Sequence, residues 1–217
     1  MPPLAESDRL VDTRWVVVDV ETTGTGPLWG DRITELAAVV LEQGRIVRSW
    51  SALVNPGRRI PIFITRLTGI SDAMVAREPT FAERLPEIRA LLESGTFVAH
   101  NAPFDWGFVS AEVERATGVP LEGERVCTVR LARRFLKHLP RRSLGHVCEY
   151  YGIDNTARHR ALGDATATAQ VYLRLLDEAG QRGIDTWGDL QDFLARRTSA
   201  RQRRSSLPRA SDGGPAA

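Results

Sequence analysis

The sequence predicts an α/β domain built on a mixed central sheet, with three antiparallel strands first, then alternating helix and strand, and helices on both flanks. Three observations predict it. Apolar, valine-rich runs of strand length fill residues 15–54, segments with helical apolar spacing fill most of residues 61–195, and one short β run, Thr96 to Ala99, lies between two of those segments.

Trp15 to Val20 is a continuous run rich in valine, as expected of a strand buried on both faces, and it ends in an acidic motif and a Gly-rich turn. Ile33 to Leu41 and Ile46 to Val54 form the next two strands, joined through Glu42-Gln43-Gly44-Arg45, where the glycine accepts the positive φ of a hairpin turn. Pro61 to Leu67 reads as a short helical or loop segment, Ser71 as an N-cap, and Thr80 to Leu92 as a long periodic helix. Thr96 to Ala99 runs straight into His100-Asn101 and a helix that Pro103 begins, with Asp105 in its first turn. Further helices are expected at Thr128 to Lys137, at Ser143 to Tyr151 with Ser143 as N-cap, and at Ala161 to Glu178 with Asp164 in its first turn. An amphipathic helix around Thr186 to Ala195 comes last, and no internal repeat is present.

At 217 residues the chain suffices for one domain with a full core plus its ends. The expected division is a flexible segment 1–13, the domain proper at 14–180, a C-terminal helix 181–197 and a disordered basic tail 198–217. Six arginines (196, 197, 201, 203, 204 and 209) face only Asp212 at that end, so of the net +2 the last stretch carries +5 and residues 1–195 carry −3. Such a tail buries too little apolar surface to fold alone and reads as a solvated end. No apolar run approaches the roughly 20 residues of a bilayer span, and the first dozen lack the apolar core of a secretory signal. A cytoplasmic protein without a membrane partner is expected, with Cys127 and Cys148 as reduced, packed thiols.

Three motifs carry the chemistry: Asp19-Val20-Glu21-Thr22-Thr23-Gly24, His100-Asn101-Ala102-Pro103-Phe104-Asp105 and His159-Arg160-Ala161-Leu162-Gly163-Asp164. Residues two apart on a strand share a face, so Asp19 and Glu21 project together from the end of the first strand. No lysine or arginine in that motif relieves their repulsion, whereas divalent cations would. Oxygen donors without a cysteine or histidine pair suit Mg²⁺ or Mn²⁺ better than zinc. Two such ions about 3.5 to 4 Å apart clamp both oxygens of a phosphodiester displacement. Asp19, Glu21, Asp105 and Asp164 are therefore the candidate metal ligands, and His159, with an ordinary pKa near neutrality, is the candidate general base. His100, closing a strand, reads as a structural hydrogen-bonder. Phe104, Trp106 and Phe108 are spaced for the core more than for stacking on bases, and Arg141 and Arg142 read as solvated.

The order of strands and helices outlines a ribonuclease H-like fold, and the three motifs resemble those of the DEDDh family of 3′–5′ exonucleases, which includes the proofreading epsilon subunit of bacterial DNA polymerase III. The resemblance spans Trp15 to Glu178. The sister group places a tyrosine four residues before the last aspartate; here Arg160 stands there and a histidine one place earlier, which favours the histidine subtype. The resemblance implies that Asp19, Glu21 and Asp164 hold one metal, that Asp19 also reaches the second with Asp105, and that His159 is the base. Thr22, Thr23 and the backbone of Gly24 would lie against the terminal nucleotide. Leu67 and Ile70, within a segment similar to one that lines the family's nucleotide pocket, would join them, with Asn101 and Phe104 as further substrate contacts. The implied activity is metal-dependent removal of mononucleotides from the 3′ end of single-stranded DNA, in proofreading or repair. RNA end trimming and a catalytically silent binding module are the alternatives. Association with a polymerase or sliding clamp is a further implication, and Gln191-Asp192-Phe193-Leu194 faintly resembles a clamp-binding peptide.

Overall fold

The structure is a computed structural model that describes residues 3–196. Strands β1 (Trp15–Thr22), β2 (Ile33–Glu42) and β3 (Arg45–Leu53) form the expected antiparallel meander. β4 (Thr96–Ala99) pairs parallel to β1, and β5 (Arg125–Cys127) parallel to β4, giving the sheet order β3-β2-β1-β4-β5. β5 was not expected: three residues at a sheet edge are too few to show a period.

Helix α1 (Ile62–Thr68) and the single turn α2 (Asp72–Val75) cover the segment after β3, and α3 (Phe81–Leu92) and α4 (Ala102–Thr117) lie on either side of β4 in the chain. α5 (Thr128–Phe135), α6 (Leu144–Tyr151), α7 (Ala161–Gly180) and α8 (Trp187–Ala195) complete the domain. α3 starts at a capping box in which the Thr80 hydroxyl and the Glu83 carboxylate satisfy each other's backbone N–H groups. Ser71 and Ser143 occupy N-cap positions without capping through their side chains; the Ser143 hydroxyl instead meets His146 Nδ1 at 2.6 Å.

Alternation along β1 divides the core in two. Trp15 and Val17 pack toward α7, against Tyr172, Val171 and Leu175, whereas Val16, Val18 and Val20 pack toward α3 and α4, against Ile88, Leu92, Phe108 and Val109. Trp15 meets Tyr172 edge to face at 5.2 Å, a geometry worth about 0.5–1.5 kcal/mol beyond the area buried. The same period of two sends Asp19 and Glu21 to the α7 side, beyond the apolar layer.

Residues 4–13 are packed rather than free. Leu10 is buried and donates its N–H to Asp185 O, while Trp187 and Gly188 donate to Asp8 O and Glu6 O, tying this segment to the start of α8. Leu10 and the partly buried Leu4 pack on the core, and the rest of the hold is hydrogen bonding to distant residues, which composition does not show. At the other end, Phe193 stacks on Phe135 at 4.8 Å beneath the Arg134 guanidinium, so the segment resembling a clamp peptide is committed to packing. The basic tail 198–217 lies outside the described residues. Among the described residues no helix is long and apolar enough to cross a membrane, and both cysteines are free thiols.

Candidate active site

A β-bulge between Glu21 and Thr22 ends the regular pairing of β1 with β2 and turns the chain into the glycine-rich loop. Two carboxylates stand before it on one face. α4 brings the third: Asp105, in its first turn and only 3% exposed, accepts the Val20 N–H at 3.2 Å, which locks the helix start against β1. α7 brings the fourth. Asp164 accepts the backbone N–H of His159 at 2.9 Å, closing the loop that carries the histidine. His159 adopts a left-handed backbone (φ 60°) with an exposed side chain, and ligand atoms of Glu21, His159 and Asp164 all lie within 4.8 Å of one another. Asp19, His159 and Asp164 line a cleft of about 520 Å³ together with His100, Ser143, His146 and Arg158. A larger hollow of about 850 Å³, near Leu10, Leu41 and Ile184, contains none of the three motifs.

All four carboxyls are held above their usual range. Burial is the first cause for each; Asp19 is raised further by Asp105, Asp164, Glu21 and Glu35, and Asp105 by Glu21. Glu21 is pushed up to about 7 by burial and then by Asp164 and Glu35, with Arg160 opposing. Asp164 is raised by burial against the lowering effect of the His159 N–H. Among the described residues no lysine or arginine forms an ion pair with any of the four. Crowded oxygen donors without an ion-paired lysine or arginine are suited to hard divalent ions.

The expected substrate contacts divide. The Thr22 hydroxyl donates to Gly24 O at 2.5 Å, and the Thr23 hydroxyl receives the Arg32 N–H and faces Asp31, so both side chains are spent within the loop. A Cβ on Gly24 would come within 2.3–2.6 Å of the Asp31 carboxylate, which explains the glycine. Leu67 is half-exposed on α1, but Ile70 has no exposed surface, being packed among Ile60, Ile64 and Val75; its side chain supports the helix and cannot touch a substrate directly. Asn101 is exposed at the start of α4 with a left-handed backbone, and Phe104 is partly buried 5.0 Å from Phe108, while Trp106 and Phe108 are core.

His100 is structural, as its position suggested. Nε2 faces Arg142 O at 3.0 Å and therefore carries the proton, Nδ1 accepts from the Thr128 hydroxyl at 2.8 Å, and burial lowers its pKa to about 4. Arg142 donates to the carbonyls of Leu136 and Lys137, so it shapes this loop and is not freely solvated.

Residues 16–172 match the RNase T family of exonucleases. The chain belongs to this exonuclease family. It is 36% identical to the DNA polymerase III epsilon subunit of Aquifex aeolicus over 79% of this chain and 84% of that protein. It is 40% identical over 82% of its length to the 3′-5′ exonuclease DinG of Bacillus subtilis, of which it spans 19%, and it spans 14% of a PolC-type DNA polymerase III of Thermotoga maritima at 36% identity. Apart from the epsilon subunit, it therefore spans less than a fifth of the length of these curated relatives. Exonuclease X in complex with 5′ overhanging duplex DNA superposes with a TM-score of 0.64 at 29% identity, covering 84% of this chain and 99% of that one. The nuclease domain of 3′hExo, a DEDDh family member, shares the fold at a TM-score of 0.68 and 21% identity, over 78% of this chain and 94% of that domain.

One buried carboxylate of this exonuclease domain acts on the site from outside the three motifs. Glu35 of β2, register partner of Glu21 and 3% exposed, receives the Arg160 guanidinium through both oxygens (3.0 and 2.7 Å) and the Ala161 N–H at 3.0 Å. It anchors the chain one residue past His159. A carboxylate immediately before the apolar run Leu36 to Leu41 was the available signal, since a buried charge requires a partner.

Raised carboxyl pKa values imply that stability declines as pH rises. A group whose folded pKa is raised contributes stability that is complete below its unfolded value and is lost as pH climbs through the folded one; for Glu21 that window runs from about 4.5 to about 7, and Asp19, Asp105 and Asp164 act in the same direction. His100, lowered to about 4, opposes this only below its ordinary value of 6.5. In EDTA the protein is therefore expected to melt higher at pH 6.5 than at pH 8.5, by on the order of 1–2 kcal/mol or roughly 3–6 °C. Divalent cation should close the gap by stabilising most at pH 8.5. A metal-free melting temperature that rises from pH 6.5 to 8.5 would show that carboxylate repulsion does not govern stability in this range.

Proposed function

We propose that the protein is a metal-dependent 3′–5′ exonuclease that acts on single-stranded DNA and releases nucleoside monophosphates in proofreading or repair. The observation that carries this reading is the approach of Glu21, His159 and Asp164 to within 4.8 Å of one another, where Asp19 lines one cleft with His159 and Asp164 and Asp105 is locked to the same strand end. Likeness to DinG, named as a 3′-5′ exonuclease, and to a polymerase subunit supports polarity and substrate.

Asp19, Glu21, Asp105 and Asp164 would hold two divalent ions, Mg²⁺ or Mn²⁺. When bound, these supply Lewis acidity at the phosphodiester and neutralise the crowded carboxylates. The protein's own groups supply the rest. The backbone of Thr22 to Gly24 and the Leu67 side chain hold the terminal nucleotide. His159, exposed at the mouth of the cleft and fixed through its own N–H to Asp164, takes the proton of the attacking water. Kinship with an epsilon subunit supports association with a polymerase, through a surface other than the packed Phe193 segment.

The test is a gel time course on matched single-stranded DNA and RNA oligonucleotides, labelled at either end, with Mg²⁺, Mn²⁺ or EDTA. Stepwise shortening of 5′-labelled DNA only with metal is the expected result. Faster shortening of RNA would assign the enzyme to RNA ends, and no turnover by the folded protein would leave a binding module.

A further inference from the structure

Between the glycine-rich loop and β2 the chain makes a tight turn, Pro27–Trp29, that offers two large apolar side chains to solvent: Leu28 is 94% and Trp29 84% exposed. The turn is held on every side. Gly26 N–H donates to Asp31 Oδ2 at 3.1 Å, Arg115 donates to Pro27 O at 2.7 Å, and Arg58 donates to Gly30 O and, at 3.3 Å, to Asp31 Oδ1. A Cβ on Gly26 would lie 3.0 Å from the Trp29 ring, so the indole rests on bare backbone there. An indole so exposed contributes nothing to the core, and the backbone that carries it has already given up the freedom that binding would cost.

Its position is equally specific. Thr23 of the first motif reaches Asp31 at the far end of the turn, and Pro27 stands 4.0 Å from where a Cβ on Gly107 would be, two residues past Asp105. Arg58 joins the turn to the segment leading into α1, whose Ile62, Phe63 and Leu67 are also exposed. From Gly57 to Ile70 that segment carries Arg58, Arg59 and Arg66 and no acidic residue. Arg58 is paired with Asp31, whereas Arg59 and Arg66 form no ion pair among the described residues. An exposed aromatic a few residues past the first motif, beside such positive charge, suits stacked bases on a phosphate backbone.

Resting on the exonuclease reading above, we propose that Trp29 and Leu28 form a stacking platform for the bases of the substrate strand on the 5′ side of its terminal nucleotide. The terminal nucleotide itself stays with the Thr22–Gly24 backbone.

Two substrates separate this proposal from the exonuclease reading. The p-nitrophenyl ester of thymidine 5′-monophosphate fills only the terminal site, whereas oligothymidylates of two to twelve nucleotides extend over the turn. Trp29→Ala, alone and with Leu28→Ala, is expected to raise KM for the twelve-mer about tenfold or more, to flatten the dependence on length, and to leave ester hydrolysis unchanged; Trp29→Phe should restore most of the affinity. An unchanged KM for the twelve-mer would overturn the proposal. So would a dimer in size-exclusion chromatography that Trp29→Ala dissociates, since the turn would then be covered by a second copy. Failure of the unaltered protein to hydrolyse the ester with Mg²⁺ or Mn²⁺ would instead overturn the exonuclease reading.

Discussion

Asp19→Asn is expected to abolish cleavage and at the same time to raise the melting temperature of the metal-free protein. Both effects have one cause. Asp19 stands among Asp105, Asp164, Glu21 and Glu35, and burial together with those four charges holds its pKa well above the carboxylate range. A carboxamide has nearly the same shape, carries no charge and is a poor ligand for a hard cation. Loss of a ligand proposed to serve both metals should lower the cleavage rate by about a thousandfold or more, several kcal/mol of transition-state stabilisation. Without metal, the same change removes like-charge repulsion, a gain on the order of 1–2 kcal/mol or roughly 3–6 °C. The gain should be larger at pH 8.5 than at pH 6.5, because repulsion grows as the neighbours ionise. Oligonucleotide cleavage with Mg²⁺ and thermal unfolding in EDTA read the two effects separately. Undiminished cleavage would remove Asp19 from the machinery, and a fall in melting temperature would mean that the carboxylate is held there for stability.

That opposition between function and stability explains why the motifs were legible. A strand buried on both faces has no structural use for two carboxylates on one of them, so Asp19 and Glu21 stood out, and the first turns of two helices supplied Asp105 and Asp164. The meander was legible because β1 and β2 are apolar along almost their whole length. What could not be read depends on pairing across the chain. Glu35 looks like one polar residue in a strand until Arg160, 125 residues away, closes on it. Ile70 shares a segment with exposed Leu67, and only the path of the chain after α1 turns it inward. β5 is a strand because β4 lies beside it, with no pattern of its own. Trp29 is conspicuous only once its exposure is known, since a tryptophan in sequence reads as core.

The Glu35–Arg160 pair should respond asymmetrically to the loss of either partner. Glu35 is only 4% exposed at its side chain, whereas Arg160 is 48% exposed. Arg160→Met leaves a buried carboxylate beside Glu21 and Asp19 with the Ala161 N–H as its remaining partner, and should cost about 3–5 kcal/mol, the usual result of orphaning a buried charge. Glu35→Gln leaves an arginine that water can reach, keeps an oxygen for Ala161 and takes one negative charge from the metal site; about 1–2 kcal/mol is expected. The double variant should therefore be more stable than Arg160→Met alone, a sign that independent contributions cannot produce. Activity should follow a different order. Both single variants loosen the anchor one residue past His159, so kcat should fall in both while KM changes little, because neither residue belongs to the loop that holds the nucleotide. Chemical denaturation of the two single variants and the double variant, with cleavage kinetics on the same samples, tests this. Equal costs for the two single changes, or additive losses in the double, would show that the buried charge of Glu35 is not what Arg160 is there to hold.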